Sequence, residues 1–333
     1  MKANQMRSPP PARRAVAPTS SVTPTSGHWL QAFLLSLLLT VSAWGDAAIV
    51  ADPEGVRLDR LATVGAGGAV VHWAGFTYFD RAWYQGEKQE SIRWLRDWSG
   101  DTYLHLDKGG HFIGGMFLSR NVGDAFRWSG LGANAAAGLG AAVSWAVLCE
   151  VEMRDAYYAD WGFSIPDFLA NTAGASIPLV HTLWPRTQAV GFKLSYWPSS
   201  QYRNYDRRRA ADLPSTRYAI DDYEGMTVWL TLAVEPMLPA RLQSSWPDWL
   251  GFAVGYGTKG MHGANVKSRG REREYPDLPS AHPEFLLSLD YDARQLPAGG
   301  WLWEHFKQQL IWLRLPAPAV RVYPDLRFYL LYL

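Results

Sequence analysis

A chain of 333 residues with an apolar fraction of 48% can bury a substantial core in one large domain or two smaller ones, which excludes disorder of the whole chain. Its 32 basic and 31 acidic residues give a net charge of +1. No basic block is large enough to follow a phosphate backbone, so nucleic acid is excluded as a partner. Aromatic residues reach 14%, which favours an envelope protein with membrane or envelope components as partners, although carbohydrate binding would also fit. The sequence identifies no protein partner.

The N-terminus has the features of an export signal. Residues 1–28 are polar and rich in Pro, Ser and Thr, and residues 29–44 carry no charge and are followed by small residues. We expect cleavage between Gly45 and Ala48, so that residues 1–48 form a disordered leader and signal segment. An uncleaved membrane anchor is the alternative, although the run is shorter than the roughly 20 residues that span a bilayer. The prediction is an exported protein of the periplasm or the membrane-associated cell envelope.

The first half of the mature chain predicts helices. Apolar residues with charges only at the ends indicate a helix over 57–84, and a second helix is expected over 104–118. Residues 128–149 carry no charge over 22 positions, which is membrane length. This segment is rich in Ala and Gly, so a helix buried in a bundle is an equal alternative to a spanning helix.

A further helix is expected to begin at Ser164. Ser164 can cap it, Pro166 lies in the first turn, and Asp167 at the third helical position suits the helix dipole. We expect this helix to run to Ile177 and to end at Pro178, since proline interrupts helical hydrogen bonding.

The remainder of the chain has the sequence pattern of strands rather than of long helices. Short aromatic segments bounded by Pro, Gly or Asp predict strands over 227–232, 285–291 and 327–332, and a helix is expected over 302–313. The glycine-rich segment 251–263 is interpreted as a turn region and residues 267–274 as a charged, exposed loop. The prediction is an α+β protein with an N-terminal helical bundle over 49–190 and a β-containing C-terminal region over 191–333. We expect the sheet to pack on the helices or on a membrane.

Three of the predicted helices each carry a carboxylate with a polar partner one turn further along the same face. Charged groups are rarely placed beside apolar helix faces unless they meet one another, so we expect these side chains to converge on one site. The candidate site residues are Asp107, His111, Glu150, Asp155, Asp167 and Asn171.

Three kinds of site are compatible with this cluster. His111 with Asp107, Glu150 or another of the acids could bind a divalent metal such as Mn, Mg, Zn or Fe. His111 could instead act in metal-free acid–base chemistry with a neighbouring carboxylate. In the third reading, Lys108 and Arg154 neutralise the acids in a structural network. The leading function is a structural or ligand-binding role in the envelope. The alternative is an envelope hydrolase acting on a lipid- or phosphate-linked substrate, and the sequence leaves open whether the protein is an enzyme.

The order of these residues resembles two bacterial families over about residues 80–178. The first is the YfiM-like family of predicted periplasmic lipoproteins of unknown function, and the second is the VanZ-like helical membrane family, linked by name to glycopeptide resistance. The matching residues are Trp83, Tyr84, Gly86, Asp107, Lys108, Gly109, Gly110, His111, Glu150, Asp155, Gly162, Phe163, Ser164, Asp167, Ala170, Asn171 and Gly174. The resemblance implies an envelope protein and no particular activity. The chain departs from both patterns, because no cysteine lies near the predicted cleavage site and no glutamine follows Glu150.

Overall fold

The computed structural model of the protein describes residues 55–262 and 275–333, apart from the side chain of His305. The predicted leader and signal segment, its cleavage site and the predicted charged loop at 267–274 all lie outside these described residues.

Helices occupy the N-terminal half and a sheet occupies the C-terminal region, so the predicted α+β class is confirmed. The four long helices are α1 (Leu58–Ala82), α2 (Leu106–Trp128), α3 (Ala133–Asp155) and α4 (Ile165–Leu183). Helices α2, α3 and α4 pack side by side, and α1 makes fewer contacts with them. Between them, β1 (Trp94–Leu95) and β2 (Phe163–Ser164) form a short parallel pair.

The start of α4 is the one that its sequence predicts, but its end is not. The Ser164 hydroxyl accepts a hydrogen bond from the backbone N–H of Asp167 at 3.2 Å. The prediction that the helix ends at Pro178 is wrong, because α4 continues to Leu183. Packing of α4 along α2 and α3 holds the turns on both sides of the proline, and such tertiary contacts override a local helix-breaking preference.

Helices α2 and α3 approach each other closely because of small residues. A Cβ added at Gly140 would lie 2.3 Å from the backbone oxygen of Ser119 and 2.8 Å from the nitrogen of Gly123. Within the described part of the chain, α3 is long and apolar enough to cross a membrane by length and composition. Core helices of soluble proteins share these properties, so both readings of α3 stand.

The C-terminal region forms a six-stranded antiparallel sheet in which each strand pairs with the next along the chain. The strands are β3 (Val190–Tyr196), β4 (Met226–Ala233), β5 (Leu250–Lys259), β6 (His282–Tyr291), β7 (Ala317–Tyr323) and β8 (Arg327–Tyr332). Short helices interrupt the connections: α5 (Ser200–Arg203), α6 (Tyr205–Ala210), α7 (Ala240–Gln243) and α8 (Trp301–Gln309). The interpretation of 251–263 as a turn region is wrong over most of its length, because β5 runs through it to Lys259.

The sheet curls so that distant strands meet across its concave face, which we call the inner face. The hydroxyls of Thr227 on β4 and Tyr332 on β8 lie 3.3 Å apart. In a flat sheet strands four places apart would be separated by about 19 Å. Lys193 on β3 likewise reaches Asp290 on β6, at 2.8 Å. The opposite, convex side is called the outer face, and α2 packs on it at β3 and β4 through groups such as Phe112, whose ring centroid lies 4.7 Å from that of Phe192.

Candidate functional site

A lysine surrounded by three carboxylates forms the first half of a polar cluster at the N-terminal ends of α2 and α4. Lys108 contacts Asp97 and lies 2.8 Å from Asp107 Oδ2 and 3.1 Å from Asp167 Oδ1. Pairing of β1 with β2 brings the chain near Asp97 beside Ser164, whose hydroxyl donates to Asp97 Oδ1 at 3.0 Å. We call Asp97, Asp107 and Asp167 the lysine triad. The Lys108 ammonium is its cation, and the Lys108 side chain is only 13% exposed.

A histidine forms the second half of the cluster. His111 lies one turn beyond Asp107 on α2, and Asn171 lies one turn beyond Asp167 on α4. His111 Nδ1 is 3.0 Å from Asn171 Oδ1, and Asn171 Nδ2 donates to Glu152 Oε1 at 3.0 Å. Because the Asn171 oxygen can only accept, Nδ1 of His111 carries the proton of this bond. His111 Nε2 lies 4.0 Å from Asp167 Oδ2. We call His111, Glu152 and Asp167 the histidine triad.

Asp155 extends the cluster towards the end of α1. The hydroxyl of the buried Tyr84 donates to Asp155 Oδ1 at 2.7 Å. Asp155 lies three residues after Glu152 on α3, so the two carboxylates share one side of the helix. The structure therefore brings five of the six predicted site residues into one neighbourhood: Asp107, His111, Asp155, Asp167 and Asn171.

Glu150 lies apart from this neighbourhood. Its carboxylate, 36% exposed, is 2.8 Å from His72 Nε2 and 2.9 Å from Arg154. Residues two positions apart on a helix point about 200° apart, so Glu150 faces away from the cluster and Glu152 takes the expected place. Burial would raise the pKa of Glu150, but the hydrogen bonds from His72 and Arg154 outweigh it and lower that pKa.

The cluster contains more acid than base. Five carboxylates, four of them buried, lie around one ammonium and one imidazole. Burial raises the pKa of Glu152 to about 8 and that of Asp155 to about 7. Burial and the nearby Asp167 raise the pKa of Asp107 to about 6, although Lys108 opposes the shift. Burial alone would lower the pKa of His111, but the carboxylates of Asp167 and Glu152 outweigh it and raise that pKa above 6.5. Glu152 and Asp155 therefore hold protons near neutral pH unless a cation replaces them.

Sequence reasoning missed several members of this site. Glu150 has a polar partner, Arg154, one turn away, and that spacing favoured it over Glu152. The spacing of three residues between Glu152 and Asp155 also places two carboxylates on one side of the helix and could have indicated Glu152. Asp97 comes from a connection whose position depends on the β1–β2 pairing, which the sequence does not indicate.

Two groups in the cluster have the ligand spacing of a metal site. The ligand atoms of His111, Glu152 and Asp167 lie within 4.8 Å of one another, as do those of the lysine triad. Lys108 already provides the cation of the lysine triad, so the histidine triad is the better candidate. Of the metal ligands that the sequence suggested, His111 belongs to this group, Asp107 belongs to the lysine triad, and Glu150 belongs to neither.

A separate cavity of about 450 Å³ lies between α2, the end of α4 and the sheet. His181, Arg120 and Lys193 are among its lining residues, and the residues of the polar cluster are not. Lys193 is paired with Asp290 at 2.8 Å, and Arg120 lies 3.8 Å from Asp124. Burial, with the positive charges of Arg294 and Arg120, lowers the pKa of His181. The charges around this cavity are therefore largely compensated within the chain.

Comparison with known proteins finds one family model that matches part of the chain. No curated protein and no solved structure matches the chain. The comparisons give no evidence for the YfiM-like name or for similarity to VanZ-like proteins. The region that matches a family model, residues 95–182, runs from β1 into α4 and contains the whole polar cluster except Tyr84. Residues 95–182 match the model of the family described as a predicted periplasmic lipoprotein (DUF2279), which agrees with the predicted localisation in the periplasm or the membrane-associated cell envelope.

Proposed function

We propose that the protein is a binding protein of the cell envelope whose histidine triad holds a divalent cation. The observation that supports this proposal is an imbalance of charge. Glu152 is buried and, among the described residues, has no lysine or arginine within salt-bridge distance. The nearest ammonium, that of Lys108, lies 3.1 Å from Asp167 Oδ1 and belongs to the lysine triad. A cation in the histidine triad would compensate the charge of Glu152, which otherwise needs a proton.

The donor set suits a first-row divalent ion. One imidazole with two carboxylates is typical of Mn, Fe or Zn sites, whereas Mg and Ca prefer oxygen alone. Asp167 Oδ1 accepts no hydrogen bond, even though Lys108 Nζ lies 3.1 Å away. The second oxygen, Oδ2, faces His111 Nε2 at 4.0 Å and is the one available to a cation in the histidine triad.

Asn171 supports the same reading from outside the triad. A metal-binding histidine usually donates its second ring N–H to a fixed acceptor, which orients the ring. Asn171 accepts from His111 Nδ1 and donates to Glu152, so one amide orients two of the three ligands and leaves His111 Nε2 for the ion.

Titration of the chelator-treated full-length protein with Mn²⁺, followed by calorimetry and metal analysis, tests this function. We expect Glu152→Gln to weaken binding at least tenfold, because it removes a charged ligand. Glu150→Gln is the matched control on the same helix and should bind as the parent does. If the parent takes up no divalent ion, or if both variants bind equally, protons neutralise the triad and the cluster is a structural network.

A hydrolase is the second candidate, and the geometry of His111 favours it. Its Nδ1–H is held by Asn171, which leaves Nε2 as the proton acceptor, and the side chain is 20% exposed. A general base needs this tautomer and this access. We expect His111→Asn to abolish hydrolysis of a lipid- or phosphate-linked substrate by the purified protein. A parent protein that binds metal but hydrolyses none of these esters would leave binding as the function.

A further inference from the structure

The outer face of the sheet has an uncovered apolar patch. Its residues are 42–49% exposed and lie next to one another, since Val254 pairs with both Leu230 and Leu287, and Phe252 pairs with Leu289. Helix α2 and the residues just before it cover the outer face at β3, β4 and the end of β5, where the Tyr256 hydroxyl donates to Leu104 O. The patch, which we call the apolar patch, consists of Leu230, Phe252, Val254, Phe285, Leu287 and Leu289.

The inner face of the sheet combines a small apolar core of Trp229, Ala253, Leu286 and Ala319 with buried charge. The inner face buries charged side chains in pairs, such as Lys193 with Asp290 and Arg321 with Glu284. A sheet with one face in water normally turns its apolar side chains inwards and its polar ones outwards. Polar inward and apolar outward residues in strict alternation are typical of strands whose outer side faces lipid. The outer face is therefore suited to an apolar surrounding.

The shape of the patch favours lipid over a second copy of the chain. The contact between Thr227 and Tyr332 shows that the sheet curls towards its inner face, so the apolar patch is convex. Two convex faces touch over a narrow strip, whereas a specific dimer needs roughly 1,000 Å² of complementary surface. Fluid acyl chains adapt to a convex surface.

One edge of the patch has the order of a membrane interface. Three aromatic rings form a row across β5, β6 and β7, with centroids 5.3 Å apart between Tyr256 and Phe285 and 6.1 Å apart between Phe285 and Tyr323. Val254 and Leu287 form the next row inwards. Aromatic residues concentrate at the boundary between headgroups and hydrocarbon.

Beyond this aromatic row, the end of the sheet carries a group of exposed arginines. The β3–β4 connection and the start of β8 lie at this end, because Tyr196 pairs with Met226 and Arg321 pairs with Arg327. Four exposed acids of the described residues lie at the same end, namely Asp206, Asp212, Asp277 and Asp325. The exposed basic residues outnumber them and are Arg203, Arg207, Arg209, Arg217 and Arg327. Each such residue contributes about 1 kcal/mol to attraction by an anionic lipid surface.

We propose that the apolar patch docks onto the surface of an anionic lipid bilayer. The arginines meet the phosphate headgroups, the row of Tyr256, Phe285 and Tyr323 lies at the interface, and the aliphatic side chains enter the acyl region. This proposal depends on residues outside the histidine triad, so it stands or fails independently of cation binding.

A fluorophore placed on the patch tests the proposal in the full-length protein. With Cys149→Ser as the background, Leu287→Cys is labelled and mixed with phosphatidylglycerol vesicles that contain a brominated lipid. We expect strong quenching at position 287 and little at the control Leu58→Cys, whose side chain is even more exposed, at 76%, at the start of α1. Because the label reports its own depth, the apolar N-terminal segment cannot produce this result. An unquenched label at 287, whether in water or shielded in a dimer seen by sedimentation, would refute the proposal.

Charged substitutions provide the second measurement. We expect Val254→Asp with Leu287→Asp to weaken vesicle binding at least tenfold, and replacement of phosphatidylglycerol by phosphatidylcholine to weaken binding of the parent. Equal binding of the parent, the double variant and Leu58→Asp to both vesicles would show that the patch and its arginines take no part.

Discussion

Glu150 and Glu152 lie two positions apart on α3, and their environments shift their pKa values in opposite directions. His72 and Arg154 keep Glu150 charged, whereas burial raises the pKa of Glu152 to about 8. The same residue type on one helix is thus a permanent anion on one side and a proton-exchanging group on the other. The difference comes from solvent and neighbours alone.

This difference predicts how stability depends on pH. The pKa of Glu152 rises from 4.5 when unfolded to about 8 when folded, so the folded state binds more protons between these values. Stability of the metal-free protein should therefore fall as pH rises from 5 to 8, by about 1.4 kcal/mol per pH unit for each extra proton. The raised pKa values of Asp155 and His111 act in the same direction. Urea unfolding at several pH values measures this slope.

The two glutamates provide the comparison. Glu152→Gln should flatten the slope by up to one proton, because it removes a titrating group, while Glu150→Gln should leave it in place. A parent whose stability rises over this pH range would contradict the pKa assignment.

The sequence could predict part of this site because helix spacing is local. Residues four apart share a face, which correctly associates Asp107 with His111 and Asp167 with Asn171. The choice between Glu150 and Glu152 depends on which side of α3 meets α2 and α4. That depends on tertiary packing, which the spacing does not reveal. The exposed pair of Glu150 with Arg154 has the same four-residue spacing as a buried pair.

Among the elements, β5 shows most clearly where local reasoning fails. Glycines in 251–257 suggest a turn, yet Phe252, Val254 and Tyr256 alternate with them as in a strand. A Cβ at Gly255 would lie 2.6 Å from the ring of Trp229 on the neighbouring strand. The glycine therefore makes room for a buried indole whose position depends on strand pairing. The start of α4 was predictable because its cap lies within four residues.

A pair of glycines on α3 tests the packing of the helices. Gly140 touches the backbone of α2, whereas a Cβ at Gly138 would meet nothing within 4 Å. We expect Gly140→Ala to lower the free energy of unfolding by about 1–3 kcal/mol, as overpacking does. Gly138→Ala should raise it by up to about 1 kcal/mol through helix propensity. Thermal unfolding by circular dichroism compares them, and equal effects would contradict the close approach of α2 and α3.

At the scale of the whole molecule, Arg314 links the two edge strands of the curled sheet, β3 and β8. Its backbone N–H donates to Leu194 on β3 at 2.9 Å, and its guanidinium donates to Tyr332 O of β8 at 3.3 Å. The same group lies 3.8 Å from the centroid of the Trp229 ring and contacts Ser288. One residue thus connects both edges of the sheet, through its backbone at β3 and through its side chain at β8.

Removal of this link should be costly. We expect Arg314→Met to lower the free energy of unfolding by about 3 kcal/mol, since it breaks a buried, hydrogen-bonded charge. Arg327→Met, at an exposed position, should change it by less than about 0.5 kcal/mol. Urea unfolding distinguishes the two, and equal stabilities would show that the curl does not depend on Arg314.

The position of Lys108 also determines what a chelator can do to this protein. If the histidine triad binds an ion as proposed, EDTA would remove that ion, whereas the Lys108 ammonium among Asp97, Asp107 and Asp167 would stay in place. Demetallation should therefore loosen the contact of α3 with its neighbours and leave the junction of β1, α2 and α4 intact. Amide hydrogen exchange with and without EDTA would reveal this difference along the chain.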